Sequence, residues 1–206
     1  MNQPSGVGDR RNDGPASAVA PLLQASVYDV REMDPIDVQA LGLRVLVMRV
    51  WPRGISWGEV DLWLPDAGPS LGLLQAYKRG EMDWGAFAER YKHEQLFEWR
   101  HAGYYKIGRG KAGLRISTMA PLQHLRALRM EHPVVTVMCV ERPPDRCHRH
   151  VLMETADEVL VGDRVWHSGT ESSGEVTSRD RDGHILVSMV GDALPRRYHV
   201  SEVQIL

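Results

Sequence analysis

The chain has 206 residues, with 25 Lys and Arg against 27 Asp and Glu, for a formal net charge of −2. That balance excludes a global electrostatic pull toward nucleic acid or an anionic membrane, so any affinity for phosphate must come from local clusters. Hydrophobic residues make up 43%, enough for one sizeable core plus a small appendage, and no apolar run reaches the roughly 20 residues that a bilayer span needs.

Residues 1–21 are rich in Gly, Pro, Asn, Asp and Ser without an apolar period, and read as a disordered tail or an appended, non-native stretch. Ala25–Tyr28 is the first strand candidate. Leu43–Val50 is a stronger one, nearly continuous Leu and Val between Gly42 and Pro52, the pattern of a strand covered on both faces in a parallel sheet. Leu71, Leu74 and Tyr77 recur at i, i+3 and i+6 with Gly80 as a stop. Trp84, Phe87, Ala88 and Tyr91 share a second helical face that carries on toward Trp99. Between Ala102 and Ser117, Gly103, Gly108, Gly110 and Gly113 interleave with Lys106, Arg109, Lys111 and Arg115. This stretch reads as a mobile basic loop, either touching a polyanionic substrate or simply solvated.

Helical spacing returns at Met119, Leu122, Leu125 and Leu128, and Pro133–Val140 is the second strong strand. A turn at Pro143-Pro144-Asp145 leads into a helix containing Val151, Leu152 and Ala156. Strand, helices, strand, helix is the order of an α/β layer, so residues 22–157 are expected to form a parallel or mostly parallel sheet flanked by helices. Residues 158–206 change character. Val161–His167, Gly174–Thr177, Ile185–Val190 and Tyr198–Val200 are short strand candidates, with Asp182-Gly183 as a hairpin turn, and together they predict a small SH3-like β-barrel. In that module Trp166 and the pair Arg196-Arg197 form either a binding face for nucleic acid or peptide, or a core tryptophan with surface arginines.

Chemistry concentrates after the second strong strand. Cys139 ends it, Glu141 follows, and Cys147-His148-Arg149 sits where the next helix begins, with Asp145 as its N-cap. A helix N-terminus presents free N–H groups and a partial positive charge, which attract anions and lower a thiol pKa, as do a neighbouring His or Arg. Cys147 is therefore a candidate nucleophile, with His148 or Glu141 as acid or base, and Arg149 offers a planar fork for a phosphate or carboxylate. A structural role for Cys147 stands beside this reading, and Cys139, set in a Val/Met strand, reads as an inert core thiol. A metal held by Cys139, Cys147, His148 and His150 is disfavoured because the Cys-x7-Cys-His spacing lacks paired Cys-x2-Cys ligands; no metal or cofactor is expected. Two cysteines do not make a disulfide scaffold, and Met1–Gly6 lacks the basic and apolar parts of an export signal, so the expected setting is the reducing cytoplasm, away from membranes.

A second constellation, Val50-Trp51-Pro52-Arg53-Gly54, directly follows the first strong strand. If the two strands are parallel, both loops emerge at the carboxyl edge, where open α/β sheets bind ligands, and Trp51 and Arg53 become candidate ligand-binding residues. A tight turn with a packed indole is the alternative.

These blocks resemble the domain-of-unknown-function 488 family, in its YeaO-like branch. The first runs from Arg44 to Ser56 through Trp51-Pro52-Arg53-Gly54 and is followed by Trp63, Gly68-Pro69-Ser70, Phe87, Arg90-Tyr91 and Glu94. The second is Val137-Met138-Cys139-Val140-Glu141 followed by Cys147-His148-Arg149. The resemblance covers residues 25–156 and implies an α/β fold with a shared site, though no established reaction. The branch's pattern has Asp where Met48 stands and Lys where Trp57 stands, and contains neither the 102–117 stretch nor the C-terminal module. Two functions follow from this reading. One is an enzyme acting on a substrate that carries a phosphate or carboxylate, with a nucleotide or nucleic acid foremost. The other is a non-catalytic anion- or nucleic-acid-binding module or adaptor.

Overall fold

The computed structural model describes residues 21–97, 103–108, 113–117, 119–142, 146–158, 163–180 and 182–206. The expected tail, the helical continuation to Trp99, Arg109 and Lys111, and the Pro143-Pro144-Asp145 turn with its cap lie outside the described residues. The chain divides into two compact units, the first ending at Ala156 and the second running Asp157–Leu206.

In the first unit, β1 (Leu22–Ser26), α1 (Val27–Glu32), α2 (Pro35–Ala40), β2 (Leu43–Leu46) and β3 (Leu62–Trp63) come first. α3 (Leu71–Lys78) and α4 (Trp84–Tyr91) follow, the latter continued by a π-helical segment Lys92–Phe97. Then come β4 (Gly103–Ile107), β5 (Leu114–Ser117), α5 (Pro121–Glu131), β6 (Val135–Cys139) and α6 (His148–Asp157). The strands form one sheet in the order β1-β6-β2-β3-β4-β5. β1, β6, β2 and β3 are mutually parallel, and β4 and β5 add an antiparallel edge. The unit is thus α/β with a mostly parallel sheet.

β6 lies between β1 and β2, and all five of its residues are buried, as its unbroken Val-Thr-Val-Met-Cys run requires of a strand with both faces covered. The paired register, Leu43 and Leu22 both opposite Val135, brings the carboxyl ends of β2 and β6 to the same edge. Gly42 enters β2 at φ +61, where a Cβ would stand 2.3 Å from the Val134 carbonyl oxygen, so only glycine passes there.

Four sequence expectations are corrected. The strand expected to run to Val50 leaves its ladder after Leu46: Val47 N–H still donates to Met138 O at 2.9 Å, but Val50 is 59% exposed in the turn that follows. The first strand is Leu22–Ser26 rather than Ala25–Tyr28, because the Ser26 hydroxyl accepts from Tyr28 N–H and starts α1 there; a cap outweighs the β-preference of Val27 and Tyr28. The expected loop over 102–117 is the β4–β5 hairpin. Tyr104 pairs with Ile116, Tyr105 with Arg115 and Lys106 with Leu114, while Ile107 and Lys106 also pair with β3, so the backbone bonds of a sheet prevail over the local glycines and charges. In α3 the buried positions are Leu73 and Ala76, and Leu71 is 51% exposed.

The second unit is an antiparallel sheet of β7 (Arg164–His167), β8 (Ser172–Arg179), β9 (His184–Met189), β10 (Arg196–His199) and β11 (Val203–Ile205), in the order β10-β9-β8-β7-β11. It curls over Val165, Val176, Ile185, Val187, Met189, Tyr198 and Val203, a half barrel with one buried face. β9 alternates buried and exposed positions as a one-sided strand must, and Gly183 at φ +79 turns the β8–β9 hairpin. No helix among the described residues is long and apolar enough to cross a membrane.

Candidate functional site

The carboxyl ends of β6 and β2 carry the chemistry. Cys139 is the last residue of β6 and Cys147 stands immediately before α6; Cys139 is 0% exposed and Cys147 1%. Their sulfurs meet at 2.9 Å and both are free thiols. Glu141, exposed on the short path out of β6, brings Oε2 to 3.5 Å from the Cys147 sulfur. His148, the first residue of α6, is buried, with Nε2 2.7 Å from the Val47 carbonyl oxygen. A carbonyl only accepts, so Nε2 bears the proton and Nδ1 faces the Cys147 sulfur at 4.0 Å. This contact ties the end of β2 to the start of α6. The Tyr91 ring packs edge-on to the His148 ring at 5.7 Å, and its hydroxyl donates to Ala67 O.

These contacts split the two thiols. Cys147 is lowered to about 5: the hydrogen bond donated by Cys139 leads, burial opposes it, and the His148 hydrogen bond and charge add to the lowering. Cys139 is pushed far up by the same hydrogen bond, by burial and by the Cys147 charge, so it remains the protonated partner. Burial pulls His148 down, but its hydrogen bond with Cys147, that charge and the Val47 carbonyl together raise it. Glu141 ends below the usual carboxylate range although burial acts against this, because the Cys139 thiol, its own backbone N–H and the His148 charge stabilise its anion. Burial, followed by the Cys147 charge, drives the Tyr91 hydroxyl up, so it stays neutral. These shifts favour a Cys147 thiolate, with Cys139 as its hydrogen-bond donor and the His148 ring beside it. Such a group can attack an electrophile, and His148 can return a proton.

Cys139 Sγ, Cys147 Sγ and a Glu141 carboxylate oxygen all lie within 4.8 Å of one another, a donor set of the kind that soft divalent ions take. Around a tetrahedral ion with bonds of about 2.3 Å, two sulfurs stand roughly 3.8 Å apart. The observed 2.9 Å is shorter than that spacing.

The other expected site residues are placed differently. Arg149 is 2% exposed, and its guanidinium is occupied: Nε donates to Gln24 Oε1 at 3.2 Å, Nη1 to Ala25 O and Nη2 to Glu141 O at 3.1 Å. The fork expected to grip an anion instead fastens β1 and the β6 exit to α6. Trp51 is half-buried, its indole N–H donates to Ile55 O at 2.9 Å, and its ring lies 4.2 Å from Trp57 and 5.5 Å from Trp63. Arg53 is exposed, and among the described residues its guanidinium has no hydrogen-bond or ion-pair partner. Neither Trp51 nor Arg53 makes a hydrogen bond, ion pair or ring contact with the cysteine cluster among the described residues. Lys106 of the hairpin stands 5.1 Å over the Trp57 ring. In the second unit Arg196 pairs with Asp192 and Arg197 with Asp180, so local carboxylates already meet both cations.

Sequence reasoning overlooked Arg49. Two residues beyond Val47, its guanidinium ion-pairs with Asp66 and donates to Pro69 O, Gly68 O (2.8 Å) and Gln95 Oε1 (2.6 Å). Asp66 in turn accepts from Tyr104 N–H at 3.0 Å. This network braces the β2 exit against three later segments. The only sequence signal was a charge closing an apolar run.

The chain matches the family model DUF488-N3a, described as the active DUF488-N3 subclade, over residues 28–159, straight through the hairpin at 103–117. It is similar to the uncharacterized protein Rv3073c of Mycobacterium tuberculosis, 39% identical over 72 residues that cover 34% of this chain and 56% of that one. It is also similar to the uncharacterized protein YeaO of Escherichia coli, 38% identical over 72 residues that cover 32% of this chain and 62% of that one. The matched part thus spans little more than half the length of these relatives. No solved structure matches.

Proposed function

Because the chain belongs to the DUF488 family, in the subclade described as active, we propose that it is an enzyme working through the Cys147 thiolate on an electrophilic centre of its substrate. One observation carries this reading: Cys147 lies at the start of α6 between a thiol donor, Cys139, and a buried imidazole, His148. Ionised there at neutral pH, Cys147 is the nucleophile, His148 supplies or takes the proton, and Glu141 stabilises the imidazolium. The substrate also carries a phosphate or carboxylate, with a nucleotide or nucleic acid the foremost class. Its anion meets Arg53, whose exposed fork, without a partner among the described residues, follows the turn after β2 on the carboxyl edge, while Trp51 holds that turn in shape. A reducing cytoplasm keeps both thiols available.

Thiolate absorbance near about 240 nm, followed against pH, tests the nucleophile directly. The expected midpoint lies near about 5 and disappears in Cys147→Ser. A midpoint in the ordinary thiol range removes the basis for catalysis. The exposed guanidinium of Arg53 also favours a second reading, anion binding without chemistry. It predicts that Arg53→Ala abolishes binding of a phosphorylated ligand while Cys147→Ala leaves it intact.

A further inference from the structure

The expectation for Cys139 was an inert core thiol, and the structure gives it a partner. Its sulfur meets that of Cys147 at 2.9 Å, although one ends β6 and the other stands just before α6. Cys139 and Cys147 are 0% and 1% exposed, so the pair suits a small electrophile better than a bulky disulfide or a second protein thiol. A neutral electrophile also avoids repulsion by the Glu141 carboxylate beside Cys147.

Resting on the reading of Cys147 as nucleophile, we propose that Cys139 is its resolving thiol and that the pair reduces a small hydroperoxide. The Cys147 thiolate attacks the distal oxygen of ROOH. A sulfur–oxygen bond forms, the O–O bond breaks, and the departing alkoxide takes the His148 proton, leaving Cys147 sulfenic acid and ROH. The Cys139 sulfur then attacks the Cys147 sulfur: the disulfide forms, and hydroxide leaves with the Cys139 proton as water. The peroxide gains the two electrons that the two thiols lose. A small external thiol reductant, converted to its own disulfide, restores the pair. The resolving step needs only a short approach of two sulfurs that already stand 2.9 Å apart, and it protects Cys147 from irreversible over-oxidation.

The test treats the reduced full chain with one equivalent of hydrogen peroxide and maps it by non-reducing mass spectrometry. The expected result is loss of both titratable thiols, a chain lighter by about two mass units, and a Cys139–Cys147 linked peptide. In Cys139→Ser the expected product is a Cys147 sulfenic acid trapped by dimedone, with no linked peptide. If wild type stops at the sulfenic acid, Cys139 does not resolve and the proposal fails, although the nucleophile reading survives. If neither thiol reacts while the thiolate midpoint is near 5, the hydroperoxide class is wrong and again only this proposal falls. If that midpoint is ordinary, both readings fall together. If the thiols react only after a chelator strips a bound divalent ion, they are ligands and the redox pair is refuted.

Discussion

Replacing Arg149 with Met distinguishes an architectural arginine from an anion-binding one. The aliphatic stem stays in its buried site, and the guanidinium with its three donated hydrogen bonds is lost. Gln24 is exposed and can turn to water, so losing that bond costs little. The carbonyls of Ala25 and Glu141 are part-buried acceptors, and each left without a donor costs about 1–3 kcal/mol. Relief from burying a cation without a carboxylate partner offsets some of this, so the net loss should be about 2–3 kcal/mol. In a unit of this size that lowers the melting temperature by roughly 10 °C. Urea unfolding followed by far-UV circular dichroism gives the free energy, and a parallel melt with inorganic phosphate reports ligand binding. Arg149→Lys should recover only part of the loss, since an ammonium cannot span acceptors on β1 and the β6 exit together. A loss below about 0.5 kcal/mol would refute the architectural role, as would phosphate stabilising wild type but not Arg149→Met.

Arg53→Ala should leave the urea midpoint within about 0.5 kcal/mol of wild type, because an exposed side chain without partners among the described residues contributes little; a larger loss would mean that the turn depends on it. Gly42→Ala combines a left-handed φ with a 2.3 Å approach to the Val134 carbonyl and should cost more than about 2 kcal/mol, measured the same way. Cys139→Ala removes the leading cause of the low Cys147 pKa and should move the absorbance midpoint upward from about 5 by at least one pH unit; an unchanged midpoint would assign the shift to His148 alone. Since Cys147 ionises at lower pH when folded than when unfolded, its charge contributes stability that is full above the unfolded thiol value near 9 and is lost as pH falls through about 5. His148, raised on folding, acts oppositely: its contribution is full below about 6.5 and is lost as pH rises through the folded value. Urea midpoints should therefore change little near neutrality and fall from pH 6 toward 5, and a rise over that interval would contradict the ion pair.

Patterns carried by neighbouring residues were legible in the chain itself. The Leu/Val-rich run of β2 and the Val-Thr-Val-Met-Cys run of β6 declared two parallel strands, and hence a common carboxyl edge, because a strand covered on both faces reads as a nearly continuous apolar run. The alternation of β9 and the Asp182-Gly183 turn declared the half barrel. The β4–β5 hairpin was misread because its pairing partners lie elsewhere in the chain: a strand's backbone bonds are supplied by a neighbour, and local glycines and lysines do not reveal that neighbour. The site divides along the same line. That Cys147-His148-Arg149 opens a helix after a buried strand was readable, since position within an element follows from local period and punctuation. Which way each side chain points was decided only by packing across the sheet. Arg149 is spent on β1 and the β6 exit, Arg49 on Asp66 and Gln95, and Arg53 has no partner among the described residues. Cys139, unremarkable inside its strand, became half of a dithiol because the β6 exit returns the chain to the point where that strand ends.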